Sequence, residues 1–392
     1  MTAWANWSGK LTAEPQRVVP IATEEAVRAE LVAASQSGTT VRTAGSTHSH
    51  YPLLPTDGVI LDTRPLNGVV RTDPEAGTAT ILAGTRIQHV GRPLLDAGLG
   101  LTNQGDIDQQ AIGGAVGTGT HGTGRTLGNF SSAVRSMRLV LASGDIVDCS
   151  AEVEPELFQA ARLSLGAVGV ATEITLAVSP AYRLEEHVWL EEFDSVMDRI
   201  DELVAATRHF EYFWYPGQER AICKAIDLTD REPEYPLASE GSRCGWSFEV
   251  LPNVRVVPHT EMEYAVPAED GPACVAAIRE LLAAEFPAVE WPIEYRTLAA
   301  DDVWLSPANG RATVTISIHE AVALDEEPYY RAAEEIFRSF GGRPHWGKVH
   351  YLHADDLEGD YARWGDWWRV RDQHDPKGIL LNDHLQRMAA PR

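Results

Sequence analysis

Seven glycines between residues 113 and 128 constrain the fold more than any other feature of this sequence. They belong to the segment "GDIDQQAIGGAVGTGTHGTGRTLGNF", residues 105–130, in which threonines are interleaved with the glycines. Because glycine lacks a Cβ atom, such a backbone can approach a ligand closely and turn its N–H groups toward a phosphate. The segment therefore predicts a site for a phosphate or pyrophosphate group.

Two standard phosphate-binding motifs do not describe this segment. A P-loop needs a Gly-Lys-Ser/Thr sequence after its glycines, and none follows here. A dinucleotide fingerprint needs a strand before the glycines and a helix after them, and that context is weak. A flexible surface loop stays open as the alternative, although a second glycine-containing turn at residues 45–49 argues against it.

That second turn carries two histidines in the sequence "VRTAGSTHSHYP", residues 41–52. The spacing of His48 and His50 fits either a metal site or a structural turn, and the residues alone do not decide between them. His121 adds a third histidine within the glycine-rich segment. A metalloenzyme built on these three histidines is therefore one candidate.

Hydrophobic periodicity predicts strands and helices that mix without strict βαβ alternation, which is typical of an α+β fold. The stretch "TEEAVRAELVAASQSG" predicts a helix with Thr23 as its N-cap and Gly38 at its end. After Pro180 the pattern changes to amphipathic stretches at 190–207, 268–285 and 328–340, separated by strands. We predict a first domain, a second domain made of a sheet covered by helices, and a C-terminal segment that returns to the first domain, at 1–178, 179–374 and 375–392.

Composition excludes several classes of partner. The formal net charge of -24 disfavours binding to nucleic acid or to an anionic membrane surface. The four cysteines lack CxxC spacing, which favours buried thiols in a reducing compartment over a zinc site. No secretory leader pattern and no run of ~18 apolar residues is visible, so we predict a cytoplasmic, soluble protein.

Taken together, these stretches resemble the vanillyl-alcohol oxidase superfamily, and within it the aldonolactone oxidase and alditol oxidase branch. The matching motifs follow one another over nearly the whole chain: "NWSG", "AGSTHS", "IGGAVGTGTHGTG", "LGAVGVATEITL", "EYRTLAADDVWLSP", "HWGK" and "DPKGILLN". The alditol oxidases are the most similar branch, because "EYRT", "WLSPANGR" and "RPHWGKV" match their pattern. The resemblance implies a PCMH-type FAD-binding domain followed by a substrate-binding cap domain.

The resemblance also implies how FAD is held. His48 matches the histidine that is bonded to the flavin 8α-methyl group, and no cysteine in 105–130 offers a second attachment. His121 is then part of the FAD cradle and not a metal ligand. The other residues implied in FAD binding are Ala44, Gly45, Ser46, Thr47, Ser49, Gly105, Ile112, Gly113, Gly114, Thr118, Gly119, Thr120, Gly122, Gly124, Gly169, Val170 and Asn382.

A further set of residues is implied in catalysis. Lys348 matches the lysine that stabilises the reduced flavin, with a solvated surface charge as the alternative. Glu294 and Arg296 match a pair that holds polyol hydroxyls, and at spacing two they face the same side of a strand. A cross-strand salt bridge is the alternative for this pair.

Two positions depart from the alditol oxidase pattern. His319 replaces a threonine and Asp106 replaces a serine, and both are expected in the substrate pocket. His319 is either a general base or a passive hydrogen-bond partner. These changes leave the substrate open among alditols, sugars, lactones and nucleoside-like alcohols.

The acceptor of electrons is predicted from one residue. Gly105 matches a position at which a small residue leaves room for dioxygen, which favours an oxidase that forms hydrogen peroxide. The alternative explanation is that the turn at Gly105 needs a positive φ.

We therefore predict an FAD-dependent oxidase of a polyhydroxylated alcohol. The rival functions are a dehydrogenase with another electron acceptor, a non-catalytic flavin or sugar-binding protein, and the metalloenzyme. The aromatic stretch "RWGDWW" predicts either a sugar-stacking platform or helix packing, and its helical spacing favours packing. The sequence does not predict an oligomeric state.

Overall fold

The computed structural model describes residues 3–389 and has the predicted α+β fold. The strands of the first half are β1 (Trp4–Ala5), β2 (Thr12–Ala13), β3 (Arg17–Pro20), β4 (Val41–Ala44), β5 (Val59–Asp62), β6 (Val69–Asp73), β7 (Thr78–Leu82), β8 (Leu99–Leu101), β9 (Val134–Val140), β10 (Ile146–Ser150) and β11 (Val170–Pro180). The second half contributes β12 (Arg183–Glu192), β13 (His209–Trp214), β14 (Arg220–Leu228), β15 (Cys244–Trp246), β16 (His259–Pro267), β17 (Ile293–Leu298), β18 (Thr313–Ala321) and β19 (Arg343–Pro344).

The α-helices are α1 (Glu24–Ser37), α2 (Gly91–Asp96), α3 (Ile112–Thr118), α4 (Phe130–Ala133), α5 (Pro155–Ala161), α6 (Phe193–Asp198), α7 (Ile200–Ala206), α8 (Ser247–Val250), α9 (Gly271–Ala284), α10 (Glu327–Ser339), α11 (Ala354–Asp360), α12 (Trp364–His374) and α13 (Asp383–Arg387). Helix α1 begins and ends as predicted, because Thr23 accepts a hydrogen bond from the Ala26 N–H and Gly38 has a φ of 71°. Among residues 3–389, no helix is long and apolar enough to cross a bilayer.

Two main sheets build the first half. A parallel sheet has the order β3–β5–β4, and α1 packs against it through Val27 and Leu31. An antiparallel sheet has the order β10–β9–β11–β7–β6, and β8 also pairs with β11. The turn after β4 and the glycine-rich segment around α3 both leave this framework toward the second half.

The second half is organised by one antiparallel sheet, with the order β15–β12–β14–β13–β17–β18–β16–β19. Helices α9 and α10 cover one face, and Tyr264 of β16 stacks on Phe337 of α10 with ring centroids 5.0 Å apart. Because side chains alternate along a strand, Glu263 points to the opposite face. This face is turned toward the first half, since His121 of the glycine-rich segment lies 2.7 Å from the Glu263 carboxylate.

The C-terminal segment contacts the first half through backbone and side chains. The Val41 N–H donates to the carbonyl oxygen of Ile379 at 2.7 Å. Arg42 is buried and donates to four carbonyl groups, those of Leu53, Leu165, Gly166 and Leu380. The guanidinium thus joins β4, the loop before β11 and the end of the chain.

Contacts between the C-terminal part of the chain and the first half begin before residue 375. The indole N–H of Trp367, on α12, donates to the carbonyls of Ala160 and Leu163 beside α5, at 3.1 Å each. The tryptophans of "RWGDWW" are buried, so the packing interpretation of this stretch is confirmed. The packing of these tryptophans therefore holds α12 against α5 of the first half. The four cysteines are also buried and free, as predicted.

Candidate active site

A cleft runs between the turn after β4, helix α3 and the start of β11. Its walls contain most of the residues that the sequence predicted to hold FAD: Gly45, Ser46, Thr47, His48, Ser49, Gly113, Gly114, Thr118, Thr120, Gly169 and Val170. Further lining residues, which the resemblance did not assign to FAD binding, include Gln110, Gly117, Ser164, Gly166 and Gly347. We call this space the glycine cleft.

Local backbone geometry explains why glycine and a strained residue form these walls. A Cβ atom at Gly45 would lie 2.6 Å from the Ala111 Cβ, so glycine is what allows the two turns to pack together. Thr47 has a φ of 59°, a left-handed conformation that is costly for a β-branched side chain. Such strain is concentrated at binding sites. A Cβ atom at Gly114 would meet no other heavy atom within 4 Å, so this wall is open to a ligand.

Some residues predicted to bind FAD do not line the glycine cleft: Ala44, Gly105, Ile112, Gly119, His121, Gly122, Gly124 and Asn382. Several of them support its walls. Asn382 caps α13 and donates to the carbonyl of Pro52 at 2.9 Å, and Gly119 ends α3 with a φ of 74°. The carbonyl oxygen of Gln104 would lie 2.2 Å from a Cβ atom at Gly122. Glycines in this segment therefore serve turns and close packing as well as the cleft.

The glycine cleft contains unpaired polar groups and a neutral histidine, and both suit the binding of FAD. Ser46 Oγ and Gln110 Oε1 are buried and have no hydrogen-bond partner among the described residues. Burial lowers the pKa of His48 to about 4, so its ring is neutral at pH 7. Trp7 stacks on this ring with centroids 5.2 Å apart. His50 is not a lining residue, because its ring packs 5.6 Å from that of His259.

A second space, which we call the cap-sheet cavity, lies under the second sheet and has a volume of about 550 Å³. It brings together every residue that the sequence predicted to be catalytic: Asp106, Glu294, Arg296, His319 and Lys348. Gly105 and His121 also line it. The cavity and the glycine cleft share Gln110, Thr120, His345 and Lys348, so the two spaces meet there.

A buried ion network fixes Glu294 and Arg296. The Arg296 guanidinium lies 2.6 Å from Glu263 and 3.3 Å from Glu294, and Ser317 donates to Glu263 at 2.7 Å. His121 completes the contacts of the Glu263 carboxylate. Burial raises the pKa of Glu294 to about 8, although Arg296 opposes that effect. Glu294 is therefore mostly protonated at pH 7 and ionises just above it.

Lys348 and His319 meet at another buried carboxylate, Glu261. The Lys348 ammonium contacts Glu261, and His319 Nε2 lies 3.8 Å from it. Burial opposes ionisation of Glu261, but Lys348 and His319 outweigh it and hold the pKa well below its usual range. His319 Nδ1 donates to the Pro292 carbonyl at 2.8 Å, which leaves Nε2 with the free lone pair. Burial lowers the pKa of His319 to about 4.

Asp106 and Gly105, at the start of the glycine-rich segment, form one wall of the cap-sheet cavity. Arg255 lies 3.2 Å from the Asp106 carboxylate and holds its pKa below the usual value against the effect of burial. Gly105 does not have a positive φ, so the alternative explanation for this glycine is wrong. A Cβ atom there would lie 3.1 Å from the His121 carbonyl oxygen. Glycine at position 105 therefore allows its backbone to pack closely against the His121 carbonyl at the cavity wall.

His48, His50 and His121, the three histidines considered as metal ligands, do not come together in one site. Within residues 3–389, three groups have possible ligand atoms within 4.8 Å of one another: His50, His259 and Glu261; His121, Glu263 and His345; and Glu261, Glu294 and His319. His48 belongs to none of them, and no group combines His50 with His121. Glu261 and Glu263 already form ion pairs with Lys348 and Arg296.

The sequence analysis missed Glu261 and Glu263, on which these networks depend. A signal for them exists in β16, where two acids alternate with the buried Met262 and Tyr264. Charged residues at every second position of a strand with apolar neighbours indicate a polar buried face.

Comparisons with known proteins agree with this geometry. A family model described as an FAD binding domain matches residues 15–150, and one described as D-arabinono-1,4-lactone oxidase matches residues 174–246 and 237–388. The L-gulono-1,4-lactone dehydrogenase of Mycobacterium tuberculosis is 34% identical, with 99% of each chain covered. The alditol oxidase of a Streptomyces species is 32% identical, with 98% of each chain covered.

A solved structure shows the same fold. A solvent-stable cholesterol oxidase superposes with a TM-score of 0.88 at 18% identity, covering 98% of this chain and 97% of that one. The family models and the two relatives show that this protein is an FAD-dependent oxidoreductase. It belongs to the D-arabinono-1,4-lactone oxidase family, which includes the aldonolactone and alditol oxidase relatives.

Proposed function

We propose that this protein is an FAD-dependent oxidase that oxidises a carbinol group of a polyhydroxylated alcohol or lactone. The observation that carries the proposal is the meeting of the two cavities. Residues predicted for FAD line one, residues predicted for catalysis line the other, and Lys348 belongs to both. A substrate in the cap-sheet cavity would therefore face the inner end of the cofactor site.

The glycine cleft supplies the groups that would hold FAD. The Ser46 hydroxyl and the open backbone at Gly114 suit the pyrophosphate, since both offer donors or close approach. Gln110 and Lys348, shared by both cavities, suit the flavin ring. When bound, FAD supplies the acceptor for a hydride.

Glu294 is the proposed general base for the substrate hydroxyl. Its pKa of about 8 lies near the working pH, where a general base is most effective. Arg296 holds the carboxylate 3.3 Å away and leaves its own Nε, buried and without a partner among the described residues, available to the substrate. His319 has a pKa of about 4, which makes it a weaker base than Glu294 and suits it to accepting a hydrogen bond through Nε2.

Lys348 is the proposed source of fixed positive charge for the flavin. Glu261 anchors its ammonium group at the junction of the cavities. A positive charge that is held in place stabilises negative charge developing in the transition state without reorganisation of the site. The side chain is partly buried, so water screens this charge only in part.

A covalent bond between His48 and the flavin is part of the proposal. The neutral ring of His48, stacked on Trp7, presents an unprotonated nitrogen to the cleft. We expect FAD to stay with the precipitated wild-type protein after acid denaturation and to be released from a His48→Ala variant. Peptide mass spectrometry should find the flavin on the peptide containing His48.

His50→Ala is the matched control, because His50 does not line the glycine cleft. This variant is expected to retain the bound flavin. Flavin retained by His48→Ala and lost by His50→Ala would instead assign the bond to His50.

Gly105 is expected to control the reaction with dioxygen. A leucine at this position fills space in the cap-sheet cavity, so Gly105→Leu should slow reoxidation of the reduced flavin at least about tenfold. Stopped-flow mixing of reduced protein with dioxygen measures this rate. Gly359→Leu, at an exposed helical position, is the control. Equal reoxidation rates in the wild type and both variants would show that Gly105 does not control the reaction with dioxygen.

The proposed function is tested with a panel of alditols, lactones, sugars and nucleosides. At least one compound is expected to reduce the bound flavin without oxygen and to yield one hydrogen peroxide per turnover in air. Flavin reduction without peroxide would support a dehydrogenase instead. No reduction by any compound would favour the non-catalytic binding protein.

A further inference from the structure

The floor of the cap-sheet cavity changes character from one side to the other. Ile222, Phe213, Glu294, Ser317 and Glu263 are direct cross-strand neighbours, on β14, β13, β17, β18 and β16 in that order. Directly paired residues face the same side of a sheet. The floor is therefore apolar at these positions of β14 and β13 and polar at those of β17, β18 and β16.

Burial divides the cavity in the same way. Glu294, Arg296 and His319 at the inner end are each less than 10% exposed. Tyr215 and Val257 are 40% and 59% exposed, so they lie at the outer end. The cavity thus has a polar inner end, where the proposed chemistry takes place, and an outer end that opens to solvent.

Trp291 lies between the two ends. Its ring is half-buried, and its centroid lies 5.3 Å from that of His259. The His259 ring is in turn 5.5 Å from that of His319. A second ring attached to the reacting part of a substrate would therefore extend to Trp291.

The cationic side chain of Arg255 at the outer end is paired with carboxylates. Arg255 lies 3.2 Å from Asp106 and 3.9 Å from Glu240, and its guanidinium covers the Phe213 ring at 5.5 Å. Because its charge is matched by two carboxylates, Arg255 is not an open site for an anion. The outer end offers fixed hydrogen-bonding groups beside an indole face, which suits a neutral ring that carries hydroxyl groups.

We infer that the outer end is a subsite for a glycosyl unit, so that the preferred substrate is a polyol or lactone joined to a second sugar ring. The cavity volume of about 550 Å³ leaves room for such a substrate beside the cofactor. Binding energy from the remote ring can be used to orient the reacting carbon, so a truncated substrate loses rate as well as affinity. This inference rests on the proposed function.

The test compares sorbitol with maltitol, which is sorbitol carrying one glucosyl unit. In anaerobic stopped-flow experiments with the FAD-loaded protein, kcat/KM for flavin reduction should be at least about tenfold higher with maltitol. Trp291→Ala should reduce this preference to less than about threefold. Trp189→Ala is the matched control, because Trp189 is also half-buried but lies on β12, outside the cavity.

Tyr215→Ala, at the exposed rim, provides a second variant if Trp291→Ala does not fold, and it should also lower the preference. Equal kcat/KM values for the two substrates, or a preference for sorbitol, would overturn the glycosyl subsite and leave the proposed function intact. A preference for maltitol that survives in both variants would overturn the role of the outer end. Failure of the whole compound panel to reduce the flavin would instead overturn the proposed function.

Discussion

Glu294→Gln is expected to lower kcat/KM by about 10²–10⁴-fold, the range that general-base catalysis supplies. The substitution keeps the size of the side chain and its contact with Arg296, but it removes the group that accepts the hydroxyl proton. Glu280→Gln, at an exposed position of α9, is the control and should leave kcat/KM unchanged. A loss below about threefold in Glu294→Gln would assign the base to another group.

The pH dependence of the same reaction provides an independent readout. Burial raises the pKa of Glu294 to about 8, so below that pH the ionised fraction rises tenfold per pH unit. The logarithm of kcat/KM should therefore increase with a slope near one and level off above about pH 8. Glu294→Gln should show no such increase. An inflection near pH 4 instead would point to His319.

The free energy of unfolding should also depend on the ionisation of Glu294, and it should decrease as the pH rises. The Glu294 pKa rises from 4.5 in the unfolded chain to about 8 in the folded protein. Its favourable contribution to the free energy of unfolding is complete below pH 4.5, decreases as the pH rises, and is lost once the pH passes about 8. Chemical denaturation of Glu294→Gln at several pH values measures this contribution.

Lys348→Met is expected to slow flavin reduction by about 10²–10³-fold, comparable to the loss of one preorganised donor at a developing charge. The variant leaves the Glu261 carboxylate without its cation, which also lowers stability. The double variant Lys348→Met/Glu261→Gln removes that unpaired charge. If the double variant recovers the melting temperature but not the rate, the effect of Lys348 is on catalysis.

A control variant and a measurement of flavin content are needed to interpret the rate of Lys348→Met. Lys377→Met, whose ammonium donates to the Ser35 carbonyl at the surface, should retain the wild-type rate. The flavin content of each variant should be measured, because Lys348 also lines the glycine cleft. Wild-type flavin reduction in a fully loaded Lys348→Met protein would exclude the proposed role.

Much of the fold could be predicted because local signals agreed with the tertiary structure. Thr23 and Gly38 bound α1 as their cap preferences require, and the amphipathic stretch at 328–340 corresponds to α10. Strands β13 and β14 were not predicted. Both of their faces are largely buried, and Glu211 and Lys224 interrupt the apolar pattern because they pair across the two strands.

The site could be predicted only in part. Motif resemblance supplied the residues that line both cavities, since their types and order are visible in the chain. The ion pairs of Glu261 and Glu263 could not be predicted, because they depend on the register of β16 against β18. The same is true of Arg255, which reaches Asp106 from a loop almost 150 residues away. Long-range register and loop conformation leave no local signal in sequence.

The stretch 190–207 shows how tertiary structure changes a local prediction. Its first residues extend β12 to Glu192, and only then do the short helices α6 and α7 begin. Pairing of β12 with β14 along its whole length outweighs the helical periodicity there. The predicted helix is thus shortened and divided.

The most direct test of the account is anaerobic flavin reduction by the best substrate of the panel, unlabelled and with deuterium on the carbinol carbon. The account predicts complete loss of the oxidised-flavin absorbance, with the deuterated substrate reacting several-fold more slowly, since transfer of that hydrogen as hydride limits the step. Equal rates for the two substrates would mean that a step other than hydride transfer limits flavin reduction. The same comparison would then be made with Glu294→Gln. No reduction by any substrate in FAD-loaded protein would contradict the proposed oxidation of a carbinol group.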